Sequence, residues 1–362
     1  MEGSGGAKKK IVFVIGTGTI GEPLIGLLCD FAKQLGFDEV WFNKRTPLTD
    51  EIEKVRGLIE RGGKLCTAPE TIPAFEAQGF TVTATTEEAV ADASVVIDCT
   101  AKSGLEHKKT LFSRYDDGSR LFVAQGSEHG FGKCYVRGAN DSALVHGEDR
   151  FVQVMSCNTH NIVVLLKAVA RAFEDPDNLV SGRFMMMRRA NDASQDGKFI
   201  PAPQAGKHDD PKWGTHHARD AVAVCQTLGF EPDIFSSAAK FNTQYMHMIW
   251  WDLVLREEIG SDEAMRRLTD ERRICLTEKI SANKIFSFGR DHGHYGRILS
   301  QTVIPEVSVT VLPNGHEVIG QAFTPQDGNA LLSSAAITAW FLDPEGYNER
   351  LDCLRPLMFQ RL

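Results

Sequence analysis

The sequence predicts an α/β chain in two parts: a doubly wound parallel-sheet domain, then an α+β domain built on a mixed or antiparallel sheet. Three observations predict it. An apolar run at residues 10–15 leads straight into a glycine turn, strands and helices then alternate to about residue 125, and longer strands with few crossover helices follow residue 150. Alternation of that kind is the signature of a parallel sheet covered by helices on both faces.

Within the first part, residues 10–15 read as a buried strand, 23–35 as a helix and 39–43 as a second strand. Helices at 51–61, 86–91 and 105–112 then alternate with strands at 80–84, 94–99 and 121–124. In the second part the pattern predicts a strand at 151–156, a long apolar helix at 158–173, and strands at 179–189, 239–244 and 248–256. A polar loop at 191–214 separates two of these strands. Residues 307–312 and 317–322 flank Asn314-Gly315, a type I′ hairpin signal. A last helix at 329–340 is expected to return to the first domain. The expected division is a leader at 1–9, a first domain at 10–155, a second at 156–325 and a C-terminal helical segment at 326–362.

The glycine turn, Gly16-Thr17-Gly18-Thr19-Ile20-Gly21, has the GxGxxG spacing and lies between a strand and a helix. In that context it marks a Rossmann dinucleotide site. Gly16 permits the tight turn, Gly18 lets the backbone approach a pyrophosphate, and Gly21 lets helix and strand pack closely. The free N–H groups of the helix start then face the anion. At the end of the second strand an NAD site usually carries Asp or Glu. Here the chain has Asn43-Lys44-Arg45-Thr46, and the two cations Lys44 and Arg45 favour the 2′-phosphate of NADP. NADP is therefore the expected cofactor, with NAD left open as a second one.

Composition narrows the classes. With 362 residues, 42% hydrophobic and 24% charged, the chain has the make-up of a water-soluble protein large enough for two domains. No apolar run approaches a membrane span, and residues 1–10 lack the features of a secretory signal, so a cytoplasmic location is expected. A formal net charge of −8 without a basic patch argues against nucleic acid as a partner. The eight cysteines are scattered with no CxxC pair, which speaks against a disulfide framework or a zinc ribbon, and no metal is expected.

One cysteine differs from the rest. Ser156-Cys157-Asn158-Thr159 falls where a strand ends and a helix begins. There the helix dipole and free N–H groups favour a thiolate, which can attack an aldehyde carbonyl. Asn158 and nearby N–H groups could serve the resulting oxygen anion. Such chemistry needs a group to handle the proton. Residue patterns alone leave His216, His217 and His247 open among eleven histidines.

The motifs together form a pattern. TGTIG at 17–21, VIDCT at 96–100, QGSEH at 125–129 and SCNT at 156–159 are followed by RRAND at 188–192, THH at 215–217 and Met246-His247. This order resembles the archaeal-type glyceraldehyde-3-phosphate dehydrogenases over nearly the full length. The resemblance implies Cys157 as nucleophile and His247 as general base, with Ser156, Asn158 and Thr159 around the substrate. It implies Arg188 and Arg189 near substrate and cofactor anions, and His216 and His217 at the substrate phosphate. Thr19, Ile20, Thr100 and Gly126 match cofactor contacts, and Gln326 is the best match to a cofactor-contacting glutamine. The implied reaction is reversible, phosphorylating oxidation of D-glyceraldehyde 3-phosphate to 1,3-bisphosphoglycerate through a Cys157 thioester, in a homotetramer. Its partners are the aldehyde phosphate and inorganic phosphate.

The chain departs from the family where SCNTTGL becomes residues 156–162 with His160 and Asn161, and at Arg219, Ile249 and 324–327. Those changes are expected on the substrate side. They keep a second reading in view, a related NADP-dependent enzyme for another phosphorylated aldehyde or a semialdehyde. A third, a non-catalytic nucleotide-binding redox sensor, has no use for Cys157 and His247 together.

Overall fold

A computed structural model describes residues 8–47, 49–191, 197, 199–243, 245–325 and 327–362. The chain forms two compact units. The first comprises residues 1–124, 146–152 and 334–353, and the second 125–145, 153–333 and 354–362. The chain leaves the first unit after residue 124, returns to it for 146–152 and again for 334–353.

In the first unit the order is β1 (Ile11–Ile15), α1 (Gly21–Leu35), β2 (Glu39–Asn43), α2 (Ile52–Glu60), β3 (Lys64–Thr67) and α3 (Ile72–Ala77). Then come β4 (Ala84–Thr85), α4 (Thr86–Asp92), β5 (Val95–Asp98), α5 (Gly104–Thr110) and β6 (Leu121–Gln125). The sheet runs β4-β3-β2-β1-β5-β6, every one of these pairings parallel. It continues into the strands at Lys133–Tyr135 (β7) and Phe151–Val154 (β8), in the order β6-β8-β7. Every residue of β1 is buried, as a strand covered on both faces must be. Register aligns Ile15 with Asn43 and with Asp98, so the segments after β1, β2 and β5 leave the sheet at one edge. Ligands of open α/β sheets bind at this carboxyl edge.

The sequence places a strand at 80–84 and none at 64–67; the structure pairs Lys64–Thr67 instead and leaves only Ala84–Thr85 as β4. Phe80 turns inward against Phe75, ring centroids 6.4 Å apart, and this tertiary contact competes with extension of the strand. Helix α4 begins with a full capping box between Thr85 and Glu88.

The second unit holds α6 (Cys157–Ala168), β9 (Leu179–Arg188), β10 (Gln204–Ala205), α7 (His216–Gln226), β11 (Ile234–Lys240) and β12 (Met248–Leu255). It continues with α8 (Ser261–Asp270), β13 (Ile274–Thr277), α9 (Ala282–His292), β14 (Thr302–Pro305), β15 (Thr310–Val311) and β16 (Glu317–Phe323). Helix α10 (Gly328–Leu342) begins in this unit and continues into residues of the first, which also holds α11 (Tyr347–Arg350). Its sheet runs β10-β11-β9-β12-β16-β14-β13, with β15 paired to β16, and mixes parallel with antiparallel neighbours. Alternation along β12 buries Ile249, Trp251 and Leu253 against the apolar residues of α6 and α7.

Three local expectations change. The strand placed at 239–244 is β11, ending at Lys240 where its parallel register with β9 ends at Arg188. Helix α6 stops at Ala168, and Arg171 beyond it takes a left-handed φ of 53°. The hairpin turn centres on Pro313-Asn314, with Gly315 N–H donating to Leu312 O at 2.9 Å and Gly315 alone at positive φ. Proline fixes a negative φ and so selects this turn over type I′.

Candidate active site

The cavity at the carboxyl edge of the first unit measures about 1130 Å³ and is lined by Gly16, Thr17, Gly18, Lys44, Arg45 and Thr100, among others. Gly16 holds φ at 96°, a conformation few other residues tolerate. A Cβ on Gly21 would collide with the Gly16 carbonyl, whereas one on Gly18 would meet nothing within 4 Å. The open space over Gly18 is the cradle a pyrophosphate needs, so the residues fit a dinucleotide. Thr19, Ile20 and Gly21 form the turn and the start of α1 and are not among the cavity's lining residues.

The two cations at the 2′ end are unequal. Lys44 is ion-paired to Glu51, which lines the same cavity and has its carboxylate stabilised by Lys44 and Lys54 against the effect of burial. Arg45 is exposed and has no partner among the described residues. A carboxylate therefore does stand near this end, brought from outside β2 by the fold.

In the second unit Ser156 caps α6, accepting Thr159 N–H at 3.4 Å and sharing a hydrogen bond of 2.9 Å with the Thr159 hydroxyl. Cys157 is the first residue of the helix and partly accessible. Asn158 is buried, and its Oδ1 accepts the Thr324 hydroxyl at 3.1 Å. With the oxygen engaged, the amide N–H₂ of Asn158 is the group left to donate elsewhere. Thr324 follows β16 directly, and its N–H donates to His247 O at 3.0 Å. His247 directly precedes β12, and the Arg189 N–H donates to its Nδ1 at 3.1 Å. A nitrogen that accepts cannot carry a proton, so the neutral ring holds its proton on Nε2.

Arg189 itself is buried and reaches Asp327 at 3.2 Å, so this side chain binds α10's approach. Asp327 sits at φ 66°, a strained backbone for a non-glycine residue. Gln326 lies outside the described residues. Arg188 ends β9, and its Nε is buried without a partner.

His216 and His217 open α7, their rings 3.9 Å apart. Burial pushes His217 far below the usual histidine range, and the charges of His216, Arg188 and His247 act in the same direction. Both its ring nitrogens are buried without hydrogen-bond partners. His216 is lowered by burial and by Arg188 and Arg219, against the pull of Asp220. Ser127 donates to Asp220, which also accepts from Arg219, so the loop after Gly126 is tied to α7. Gly126 takes φ 84° and its carbonyl accepts from Gln153 at 2.8 Å.

Two of the residues where the chain departs from the family are interior. His160 and Asn161 are fully buried and hydrogen-bonded within the second unit. Arg219 pairs with Asp220. Thr324 and Asp327 enter the sequence reading only as part of the departure at 324–327, with no contact assigned to either, and Asn329 does not enter it as a site residue. These residues lie more than a hundred positions from Cys157, and no local spacing marks them. No group of three or more His, Cys, Asp or Glu among the described residues is placed to hold a metal. No described helix is long and apolar enough to cross a membrane.

No protein-family model matches the chain. Curated relatives do. The chain is 28% identical over 317 residues to the glyceraldehyde-3-phosphate dehydrogenase of Sulfolobus acidocaldarius, covering 85% of this chain and 84% of that one. It is 27% identical over 321 residues to that of Metallosphaera sedula, 85% of each chain. Against that of Methanocaldococcus jannaschii it is 27% identical over 278 residues, 72% and 75% of the two chains. A dinucleotide-type unit and a unit that presents a cysteine at a capped helix start thus occur on a chain similar over most of its length to oxidoreductases. Within that class it is a relative of the archaeal-type glyceraldehyde-3-phosphate dehydrogenases over most of its length.

Proposed function

We propose that the protein catalyses the reversible, phosphorylating oxidation of D-glyceraldehyde 3-phosphate to 1,3-bisphosphoglycerate, as a cytoplasmic homotetramer preferring NADP. The observation that carries this reading is the network joining Cys157's helix to His247 through Asn158 and Thr324. It supports a nucleophile, an oxygen-anion donor and a proton-bearing ring acting at one place.

The Cys157 thiolate attacks the aldehyde carbon, forming a C–S bond while the carbonyl electron pair moves to oxygen. The Asn158 amide and the His247 Nε2–H donate to that oxygen. The resemblance gives His247 the role of base; the hydrogen bond to Nδ1 favours a donor role at Nε2 instead. A bound nicotinamide supplies the acceptor for the hydride. As the C–H pair departs, the carbonyl re-forms as a thioester on Cys157. A phosphate oxygen then attacks the thioester carbon and the thiolate leaves. Arg188, His216 and His217 are assigned to the phosphate groups, where the Arg188 Nε and the His217 ring, unpaired among the described residues, suit anions.

The test is NAD(P) reduction with glyceraldehyde 3-phosphate, with and without phosphate or arsenate. Phosphate-dependent reduction is expected, with at least about a thousandfold loss in Cys157→Ser and dinucleotide binding retained. Substantial turnover by Cys157→Ser would exclude the thioester route. A clear preference for a different aldehyde would replace the substrate and keep the chemistry; with His160 and Asn161 in the interior, only Arg219 still speaks for that alternative.

A further inference from the structure

Two consecutive carbonyls at the start of α6 carry more donors than a helix supplies. Ser156 O accepts the His160 N–H at 3.1 Å and also the His160 ring at 3.0 Å. Cys157 O accepts side-chain amide N–H groups from Asn161 at 2.9 Å and from Asn329 at 3.0 Å.

The donors are held in place. A carbonyl can only accept, so the His160 proton is on Nδ1 and its Nε2 accepts the Ser333 hydroxyl at 2.7 Å. The Ser333 oxygen in turn accepts the Arg137 N–H at 3.1 Å. His160 is fully buried, and burial pushes its pKa down to about 4, so this neutral arrangement holds at ordinary pH. Asn161 gives its amide hydrogens to Cys157 O and to Thr324, the latter at 3.0 Å, and leaves its buried Oδ1 without a partner. An unpaired buried acceptor is costly, so something other than polar satisfaction favours this orientation.

Each of these carbonyls is one end of a peptide unit. The other ends are the N–H groups of Cys157 and Asn158, which have no acceptor within the helix because they lie in its first turn. Donation to a carbonyl polarises its peptide and strengthens the N–H across it. We infer that His160, Asn161 and Asn329 are positioning residues that strengthen the Cys157 and Asn158 N–H groups toward the cysteine sulfur and the substrate oxygen anion. The inference rests on Cys157 being the nucleophile.

The test is alkylation of the full-length protein by iodoacetamide as a function of pH, with Cys157 resolved by mass spectrometry. Burial raises the other cysteines, Cys29, Cys66 and Cys275 to about 12 and Cys134 to about 11, so they stay silent near neutrality. In Asn161→Ala, and separately in Asn329→Ala and His160→Gln, the half-point at Cys157 is expected to rise by roughly half to one pH unit. At pH 7 that is roughly three- to tenfold slower alkylation. Turnover should fall while KM for the aldehyde stays unchanged. A half-point that does not move in folded variants overturns the inference, and three variants on two elements guard against one that fails to fold. If wild-type Cys157 is as inert as the buried thiols, the proposed function fails first, and the two failures are thereby told apart.

Discussion

His160 and His217 lie on neighbouring helices of the same unit, both buried, and their surroundings are opposite. His160 has a partner at each nitrogen, a carbonyl on one side and a hydroxyl on the other. His217 has none at either, although burial is just as complete around its ring. A buried polar group whose bonds are all made inside the protein is scaffold. One left unpaired among the described residues, beside a second histidine and an arginine, costs stability, and under the proposed function a substrate phosphate would complete it. Under the proposed function, the difference separates the part of the site that holds shape from the part that would bind substrate.

Exchanging the two by mutation is the most severe test. His160→Ala is expected to lower unfolding free energy by roughly 3 kcal/mol, since it opens a cavity and orphans Ser333. His217→Ala should change stability by less than about 1 kcal/mol and raise KM for the phosphorylated aldehyde roughly tenfold or more. Chemical denaturation and steady-state kinetics read the two effects, and the reverse assignment of losses would dissolve the comparison.

Acid sharpens it. The folded pKa of His160 is depressed from 6.5 to about 4, so the unfolded chain binds more protons between those values. Its stabilising contribution is complete above about pH 6.5 and is lost as pH falls toward 4, up to roughly 3 kcal/mol. His217, also depressed, acts in the same direction. Inorganic phosphate should offset part of the acid loss in wild type by stabilising protonated His217, and should not do so in His217→Ala. Denaturant midpoints from pH 7 to 4, with and without phosphate, decide it; equal protection in both proteins would remove His217 from the anion site.

The same logic extends to the first unit with a smaller effect. Lys44 is satisfied by Glu51, whereas Arg45 has no ion pair among the described residues. Arg45→Ala is expected to weaken NADP binding roughly five- to tenfold and leave NAD nearly unchanged, with Lys44→Ala having less effect on the difference. Dissociation constants for both dinucleotides measure this. A larger NADP loss in Lys44→Ala would reverse the assignment.

Much of this was legible in the residues. The glycine turn is read from local chemistry, because left-handed φ at Gly16 and close packing at Gly21 are properties of a few adjacent residues. The helix start at Cys157 is legible for the same reason, since a serine cap and a strand-to-helix change lie side by side. The short strand β3 was missed because four residues ending in lysine and threonine carry little pattern. His160 and Asn161 follow Cys157 by three and four positions in the chain, and their complete burial was not legible there. That spacing alone does not tell an inward side chain from one that reaches a substrate.

By itself the sequence determined the two sheet types, the dinucleotide turn and the cysteine at a capped helix start, all consequences of local backbone and cap preferences. Only the tertiary structure decided which polar groups are satisfied. Thr324 reaches Asn158, Asn329 reaches Cys157, Glu51 answers Lys44, and no described residue hydrogen-bonds the His217 ring. Hydrogen-bond satisfaction depends on which distant segments packing brings within about 3 Å, and that is a property of the fold.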